Sequence, residues 1–311
     1  METHPLINGA AQLTHLGVMG ARGADASKFL QGQFTNDMAT LGLSHARLAG
    51  FCSAKGRLQA NFVVWRAAPD ELMLACAASV LPATLKRLSM FVLRASCKLR
   101  DATAELPLWG VAGDAARAFG ADLAVWEKRD VAGTTVIRLP DSIGLMRCLI
   151  ATPGAELAST WPALSLDDWR WLDVHSGIPL IEAATVDQFV PQMLNYELVG
   201  GVDFQKGCYP GQEIVARSHY RGTIKRRMFL FDVDAAAAAG QEVFHSADTS
   251  QPAGMVVNAA PHPGGAGSTA LVEVKLAALD AGTLHLGQAE GPLLRHGALP
   301  YDVARDSAQP A

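Results

Sequence analysis

One cysteine, Cys208, stands in the stretch KGCYPGQEIVAR (Lys206 to Arg217), between two glycines and close in sequence to a lysine, a glutamate and an arginine. A free cysteine most often behaves as a small buried hydrophobe. Here Gly207 and Gly211 permit backbone angles closed to other residues, and Pro210 suits the start of a helix formed by GQEIVAR. A thiol at such a helix N-terminus, with Lys206 and Arg217 nearby, is favoured as the thiolate, the form that attacks electrophiles and binds metals. The pattern points to a reactive or ligand-donating cysteine.

The five cysteines, Cys52, Cys76, Cys97, Cys148 and Cys208, are odd in number, widely spaced and without a Cys-x-x-Cys pair. That usage suits reduced thiols in a cytoplasmic protein. It argues against a zinc site or a resident four-cysteine iron–sulfur cluster, whose ligands cluster in sequence. Any metal chemistry would be done on a partner. The histidines form no H-E-x-x-H pair, and His175 in DVHSGIP stands alone as a structural or rim residue. PHPGGAGSTA lacks phosphate-loop spacing and reads as a hairpin loop.

The run RSHYRGTIKRR holds Arg217, Arg221, Lys225, Arg226 and Arg227. Its favoured reading is a solvated surface at the start of a strand; the rival is an anion site for RNA phosphates or for the carboxylates of a substrate tail. A net charge of -4 opposes a surface built wholly for nucleic acid. Trp169 and Trp171 flank Arg170 in DDWRWLD, and at strand spacing one indole points in and one out. A partly open indole beside a polar cleft is a stacking platform for a flat heterocycle.

These residues need a scaffold. A chain of 311 residues, 50% hydrophobic and 18% charged, carries material for more than one core. The start, METHPLINGA, lacks the basic and apolar regions of a secretory signal, and no apolar run reaches the roughly 18 residues of a membrane span, so a cytoplasmic location is expected. LTHLGVMGARGADASKFLQGQFTND predicts a strand around Leu13 to Met19, then a helix capped by Asp25 and ended by Gly32. Phe62 to Trp65 pair with Leu72 to Ala75 in a hairpin, and Leu81, Leu85, Leu88 and Val92 recur at helical spacing. ELPLWGVAG resumes a strand, DAARAFGADL a helix, and the run from Leu145 another strand. Without a regular βαβ repeat, the expectation is α+β layers. The segment from Trp161 to Arg217 is too rich in Gly and Pro for one long helix and has the character of a function-bearing connection. IKRRMFLFDV, QPAGMVVNAA and ALVEVKL predict a small β-barrel or sandwich, with AAAAAG as a linker.

KGCYPGQEIVAR closely matches the pattern K-G-C-[YF]-x-G-Q-E-x-x-x-R, and with it the chain resembles the YgfZ-type folate-binding proteins. KFLQGQFTND (Lys28 to Asp37), AKGR (Ala54 to Arg57), GIPLI (Gly177 to Ile181) and FVPQMLN (Phe189 to Asn195) follow in family order, so the resemblance runs from about Leu13 into the C-terminal β region. It implies a fold similar to the aminomethyltransferase (T-protein) of the glycine cleavage system, α+β, with three domains in a ring around a folate cleft and a small C-terminal β-barrel. The implied division is a folate-binding region over 1–225, made of two interleaved subdomains with the inserted one at about 50–155, and a barrel over 226–311.

The same resemblance implies Cys208 as the functional thiol, within the motif residues Lys206, Gly207, Tyr209, Gly211, Gln212, Glu213 and Arg217. It sets Trp169 against the folate, with Gln192 and Asn195 in the segment facing the pterin. A second family tryptophan is not kept: Leu16 stands at its place. The implied ligand is tetrahydrofolate or another reduced folate. The implied role is iron–sulfur cluster assembly or repair in partner enzymes such as tRNA methylthiotransferases. T-proteins carry an acidic pair needed for aminomethyl transfer, and KGRLQANF puts Gln59 and Ala60 there, neither of which is an acid or base. Folate binding without that reaction is the implied outcome. Two alternatives stand beside it: a folate-dependent one-carbon (aminomethyl) transferase, and a tRNA-binding module using Arg221, Lys225, Arg226 and Arg227.

Overall fold

The computed structural model describes residues 7–153, 161–220 and 224–303. A short strand, β1 (Gly9–Gln12), precedes β2 (Leu16–Arg22). The strand predicted around Leu13 to Met19 is displaced because the chain turns at Leu13, whose carbonyl accepts from Leu16 N at 3.0 Å. At that turn the backbone passes from one sheet to another. Helix α1 (Ala26–Gln31) follows and ends at Gly32 as its composition predicts. Asp25 makes no side-chain cap; its carboxylate accepts instead from Ser96 N at 2.7 Å, tying the helix start to a distant loop.

The first sheet has the order β3-β4-β5-β2-β6, from β3 (Ala46–Cys52), β4 (Leu58–Ala68), β5 (Glu71–Ala77), β2 and β6 (Lys98–Asp101). The predicted hairpin pairs Val63 with Ala75 and Trp65 with Met73. Helix α2 (Leu81–Ser89) packs on this sheet through Leu81 and Leu88, both buried.

The second sheet has the order β1-β7-β10-β9-β8, formed by β7 (Leu108–Ala112), β8 (Lys128–Val131), β9 (Thr134–Ser142), β10 (Leu145–Ala151) and the N-terminal β1, with α3 (Asp114–Gly120) following β7. Because β1 joins this sheet, the stretch from β2 to β6 lies inside its sequence, where the resemblance implies an inserted unit at about 50–155. The difference comes from β1, whose four residues GAAQ have no periodic signal of their own.

Helix α4 (Leu166–His175) carries both tryptophans of DDWRWLD. Strand spacing predicts one indole in and one out; on the helix both are buried, at 1% and 3% exposure. Ser165 caps it by accepting from Asp168 N, and Asp167 and Asp168 in the first turn favour the helix further. After α4 come single 3-10 turns at Ala183–Thr185 and Pro191–Leu194, then α5 (Gln212–Tyr220).

The C-terminal part is a closed six-stranded barrel, ordered β11-β14-β13-β12-β15-β16, from β11 (Arg226–Val233), β12 (Glu242–His245), β13 (Gly254–Pro261), β14 (Ser268–Lys275), β15 (Leu284–Leu286) and β16 (Leu293–His296). Alternation along β11 sends Phe229, Phe231 and Val233 into one core and Met228 and Leu230 into another. That second core is shared: Val18 and Trp65 come from the first sheet, Ile137 and Leu149 from the second, Leu230 and Leu271 from the barrel, and Trp171 and Leu172 from α4. The three sheets therefore surround one centre. No helix among the described residues is long and apolar enough to cross a membrane.

Candidate functional site

The centre holds a cavity. Its lining comes from the first sheet (Asn61, Ala75), the second (Leu139, Arg147), helix α4 (Trp169, Asp173), the segment 176–182 and barrel strand β13 (Asn258). The segment carrying GIPLI is fastened from two sides. Asn61 donates to Pro179 O at 2.6 Å and accepts from Ile181 N at 2.8 Å; Asn258 accepts from Leu180 N and donates to Leu180 O, both at 2.8 Å. Two asparagine side chains thus imitate strand neighbours and hold an irregular segment against the cavity.

Most of the wall is apolar, with a few convergent charged groups. Arg147, 1% exposed, donates to Asp173 at 2.6 Å and to Pro140 O at 3.2 Å. Arg170 faces Glu182 at 3.4 Å, and His15 Nε2 lies 4.0 Å from Asp173. Burial pushes the His15 imidazole down from its ordinary value, against the opposing pull of Asp173, and Arg170 lowers it further. Burial pushes the Glu182 carboxyl up, with Arg170 opposing. Two buried polar atoms of lining residues have no hydrogen-bond partner, Trp169 Nε1 and His15 Nδ1. Leu16, which the resemblance sets where a family tryptophan is not kept, also lines this cavity.

The predicted site residues are only partly brought together. Trp169 lies on the cavity, but buried and not open: a Cβ on Gly110 would come within 2.4 Å of its ring. Gln192 and Asn195 do not line the cavity. Gln192 donates to Val215 O and Asn195 to Met228 O, each at 2.7 Å, so these amides fasten the 191–195 turn to α5 and β11. Of the residues that the resemblance sets at the acidic pair, Ala60 is fully buried in the core of the first sheet, and neither it nor Gln59 lines the cavity; Asn61 does. His15, Asn61, Trp126, Arg147, Asp173 and Glu182 line it without having been singled out by motif.

The cysteine motif forms a second locus. Three residues, Tyr209, Pro210 and Gly211, separate Cys208 from the first residue of α5, so the thiol precedes the helix instead of sitting in its first turn. Cys208 is exposed, whereas Cys52, Cys76 and Cys148 are buried and Cys97 is half-buried. Gly211 has φ +79°, and a Cβ there would stand 2.4 Å from Ser53 O and 2.6 Å from Gly56. The loop is thus seated backbone to backbone on the AKGR turn.

Lys206 turns inward: its ammonium donates to Gln31 O and, at 2.6 Å, to Phe34 O, and stands 4.9 Å over the Tyr209 ring. Burial pulls it down to about 8. Thr35 donates to Gly201 O at 2.6 Å and Asn36 to Gly200 O at 2.7 Å, completing the dock between KFLQGQFTND and the run before the cysteine. Gln212, half-buried, and Glu213, exposed, open α5, and Arg217 is exposed near its end; Gly207 has open space around it.

The basic run is largely committed. Arg226 pairs with Glu273, with one contact at 2.9 Å, and Arg227, buried, pairs with the buried Glu197 and donates to Gln192 O at 2.8 Å. Lys225 is exposed, and Arg221 lies outside the described residues.

Residues 8–138 match the family model described as the GCVT N-terminal domain. The chain is 34% identical to the tRNA-modifying protein YgfZ of Photorhabdus laumondii, over 68% of its own length and 67% of that relative. It is 34% identical to the protein of the same name from Shigella boydii and 33% identical to that of Escherichia coli K12, each over 67% of both chains. In fold it is similar to the glycine cleavage system aminomethyltransferase T from Bartonella henselae, with a TM-score of 0.74 at 17% identity, covering 95% of this chain and 87% of that one. Three sheets around a central cavity, a cysteine loop docked on the AKGR turn and this degree of identity over two thirds of each relative place the chain in the YgfZ family.

Proposed function

We propose that this chain binds tetrahydrofolate or another reduced folate in the central cavity and acts as an accessory protein for iron–sulfur cluster assembly or repair in partner enzymes, tRNA methylthiotransferases among them. The observation that carries the reading is the central cavity itself, lined mostly by apolar side chains from three sheets and α4, with a small set of polar groups among them. The residues suit such a ligand. Trp169 Nε1 and His15 Nδ1 are without partners. The Asp173 and Glu182 carboxylates can accept from ring N–H groups, and Arg147 and Arg170 can meet a carboxylate tail. A bound reduced folate supplies a carrier for a one-carbon unit. This chain's own residues bind and orient it and, through Leu16, Ile178 and Leu180, keep water from it.

Cys208 is the functional thiol of this reading, since it is the exposed cysteine and stands on a loop with a fixed base. The motif residues around it hold and present it. Gln192 and Asn195 support the site by fastening the 191–195 turn. Gln59 and Ala60 supply no acid or base, so the chain is not expected to cleave aminomethyl donors. The one-carbon transferase remains the second reading, favoured by one observation: His15 beside Asp173 faces the cavity and can carry a proton. The tRNA-binding module ranks lower, because Arg226 and Arg227 already have carboxylate partners. We keep the division into a folate-binding region, 1–225, and a barrel domain, 226–311, as part of the same proposal.

The test is complementation of cells that lack the corresponding endogenous protein and show a tRNA methylthiolation defect. The wild-type chain should restore the modification and Cys208→Ser should not, at equal protein level. Full restoration by Cys208→Ser would return the residue to an ordinary surface position. Robust methylenetetrahydrofolate formation by the purified chain with an aminomethyl donor would promote the second reading.

A further inference from the structure

Of the six tryptophans, two line the central cavity, Trp169 and Trp126. Their situations differ. Trp169 is 1% exposed, Gly110 is pressed against its ring, and the Arg147 guanidinium stands over the ring 5.4 Å from its centre. Little of the ring is left for a ligand, and its Nε1 is buried without a partner. Leu16 lines the cavity too and offers no ring.

Trp126 is half-buried, its covered side packed against the central core. It stands in the turn before β8 with φ +68°, in the left-handed region, where a bulky residue is an outlier. Two backbone bonds hold it there. Trp126 N donates to Arg138 O of β9 at 2.7 Å, within its own sheet, and Trp126 O accepts from Ala46 N of β3 at 2.8 Å, in the other sheet. Lys128 N repeats the link by donating to Ser44 O at 2.8 Å. A glycine would hold this turn freely, whereas a side chain there costs about 1–2 kcal/mol. An indole kept at a glycine-favouring position, half open and on the cavity wall, is a residue whose ring has a use.

We propose that Trp126 supplies the open aromatic face against which the flat heterocycle of the bound ligand packs, and so sets the affinity and ring preference of the cavity. The inference rests on the folate reading above. It divides the work between two indoles: Trp169 forms a buried part of the wall, and Trp126 offers its face. Because Trp126 is bonded to both sheets, a ligand packed on it also bears on the seam between them.

The experiment is calorimetric titration of 5-formyltetrahydrofolate, a stable reduced folate, into the wild-type chain and the Trp126→Leu and Trp126→Phe variants, with a melting curve for each. Loss of an aromatic face against a heterocycle should weaken binding by about tenfold or more in Trp126→Leu, with most of the affinity kept in Trp126→Phe. Binding by a folded Trp126→Leu within about twofold of wild type would overturn the inference and leave the folate reading standing. No binding by the wild-type chain would overturn both. A second measurement covers a Trp126→Leu variant that fails to fold: in a Trp169→Phe chain that still binds, the folate should quench tryptophan emission, and unchanged emission at saturation would overturn the inference.

Discussion

The central cavity and the cysteine loop solve opposite problems. The cavity draws its walls from three sheets and a helix, and its charged groups are sheltered, so each needs a partner fixed by distant structure, as Arg147 has in Asp173. The loop gathers its chemistry in consecutive residues and leaves the thiol in solvent; what it needs is one stiff seat, which the contact of Gly211 with Ser53 and Gly56 provides. A site built between elements depends on many long-range supports, and one built on a loop on few, closely fitted.

The largest expected effect falls on that seat. Gly211→Ala combines a positive φ with a Cβ 2.4 Å from Ser53 O, and should destabilise the chain by about 3 kcal/mol or more in urea unfolding. Gly207→Ala, one residue before the cysteine, meets nothing within 4 Å and should stay within about 0.5 kcal/mol of wild type. Equal costs at the two glycines would break the distinction between seat and tip.

A smaller effect sets the interior against the loop through pH. Burial pushes the thiols of Cys52 and Cys76 up to about 12 and that of Cys148 to about 11, from an ordinary 9.0. The folded chain keeps these protons after the unfolded chain has released them. Stability present below pH 9 is therefore lost progressively as pH rises toward 11 and 12. Lys206, pulled down to about 8 from 10.5, contributes with the opposite sign: the folded chain loses this proton first, so stability rises between pH 8 and 10.5. Melting curves from pH 8 to pH 11 should show a flatter decline in Cys76→Ala and a steeper one in Lys206→Met. Parallel profiles in all three chains would refute the assignment.

The smallest expected effect is on stability at the tip. Cys208→Ser removes an exposed thiol and should shift unfolding by no more than about 0.5 kcal/mol. Limited iodoacetamide labelling at neutral pH, mapped by peptide mass, should modify Cys208 before Cys52, Cys76, Cys97 and Cys148. Labelling of half-buried Cys97 at the same rate would show that the loop confers no advantage on its cysteine.

The two regions were also unequally legible in the sequence. A contiguous motif announces itself, and the short β-like runs of IKRRMFLFDV, QPAGMVVNAA and ALVEVKL predict a barrel or a sandwich, between which the observed strand pairing decides for the barrel. The cavity had no such signature. Arg147 is a single cation in the apolar run LMRCLIA, and only the pairing of that strand with β7 and β9 turns it toward Asp173 on α4. DDWRWLD misled because Trp spacing of two suggests a strand, while the decisive signal was Ser165 three residues before Asp168, a helix start. Gln192 and Asn195 lie in a family stretch, yet their amides face backbone carbonyls of α5 and β11, a long-range choice that no local pattern encodes.

The dock between the N-terminal motif and the cysteine loop has a consequence in time. Thr35 is joined to Gly201 across 166 residues of chain, and the Lys206 ammonium to Phe34 across 172. On a ribosome adding about 5–20 residues per second, roughly 8–35 seconds separate the emergence of the two halves of this contact. Through that interval Thr35 and Asn36, both buried in the finished protein, lack the acceptors that Gly201 and Gly200 supply. Cys208 reaches its seat only after both five-stranded sheets have been made, so the thiol is presented by a chain that still lacks only α5 and its barrel, or not presented at all.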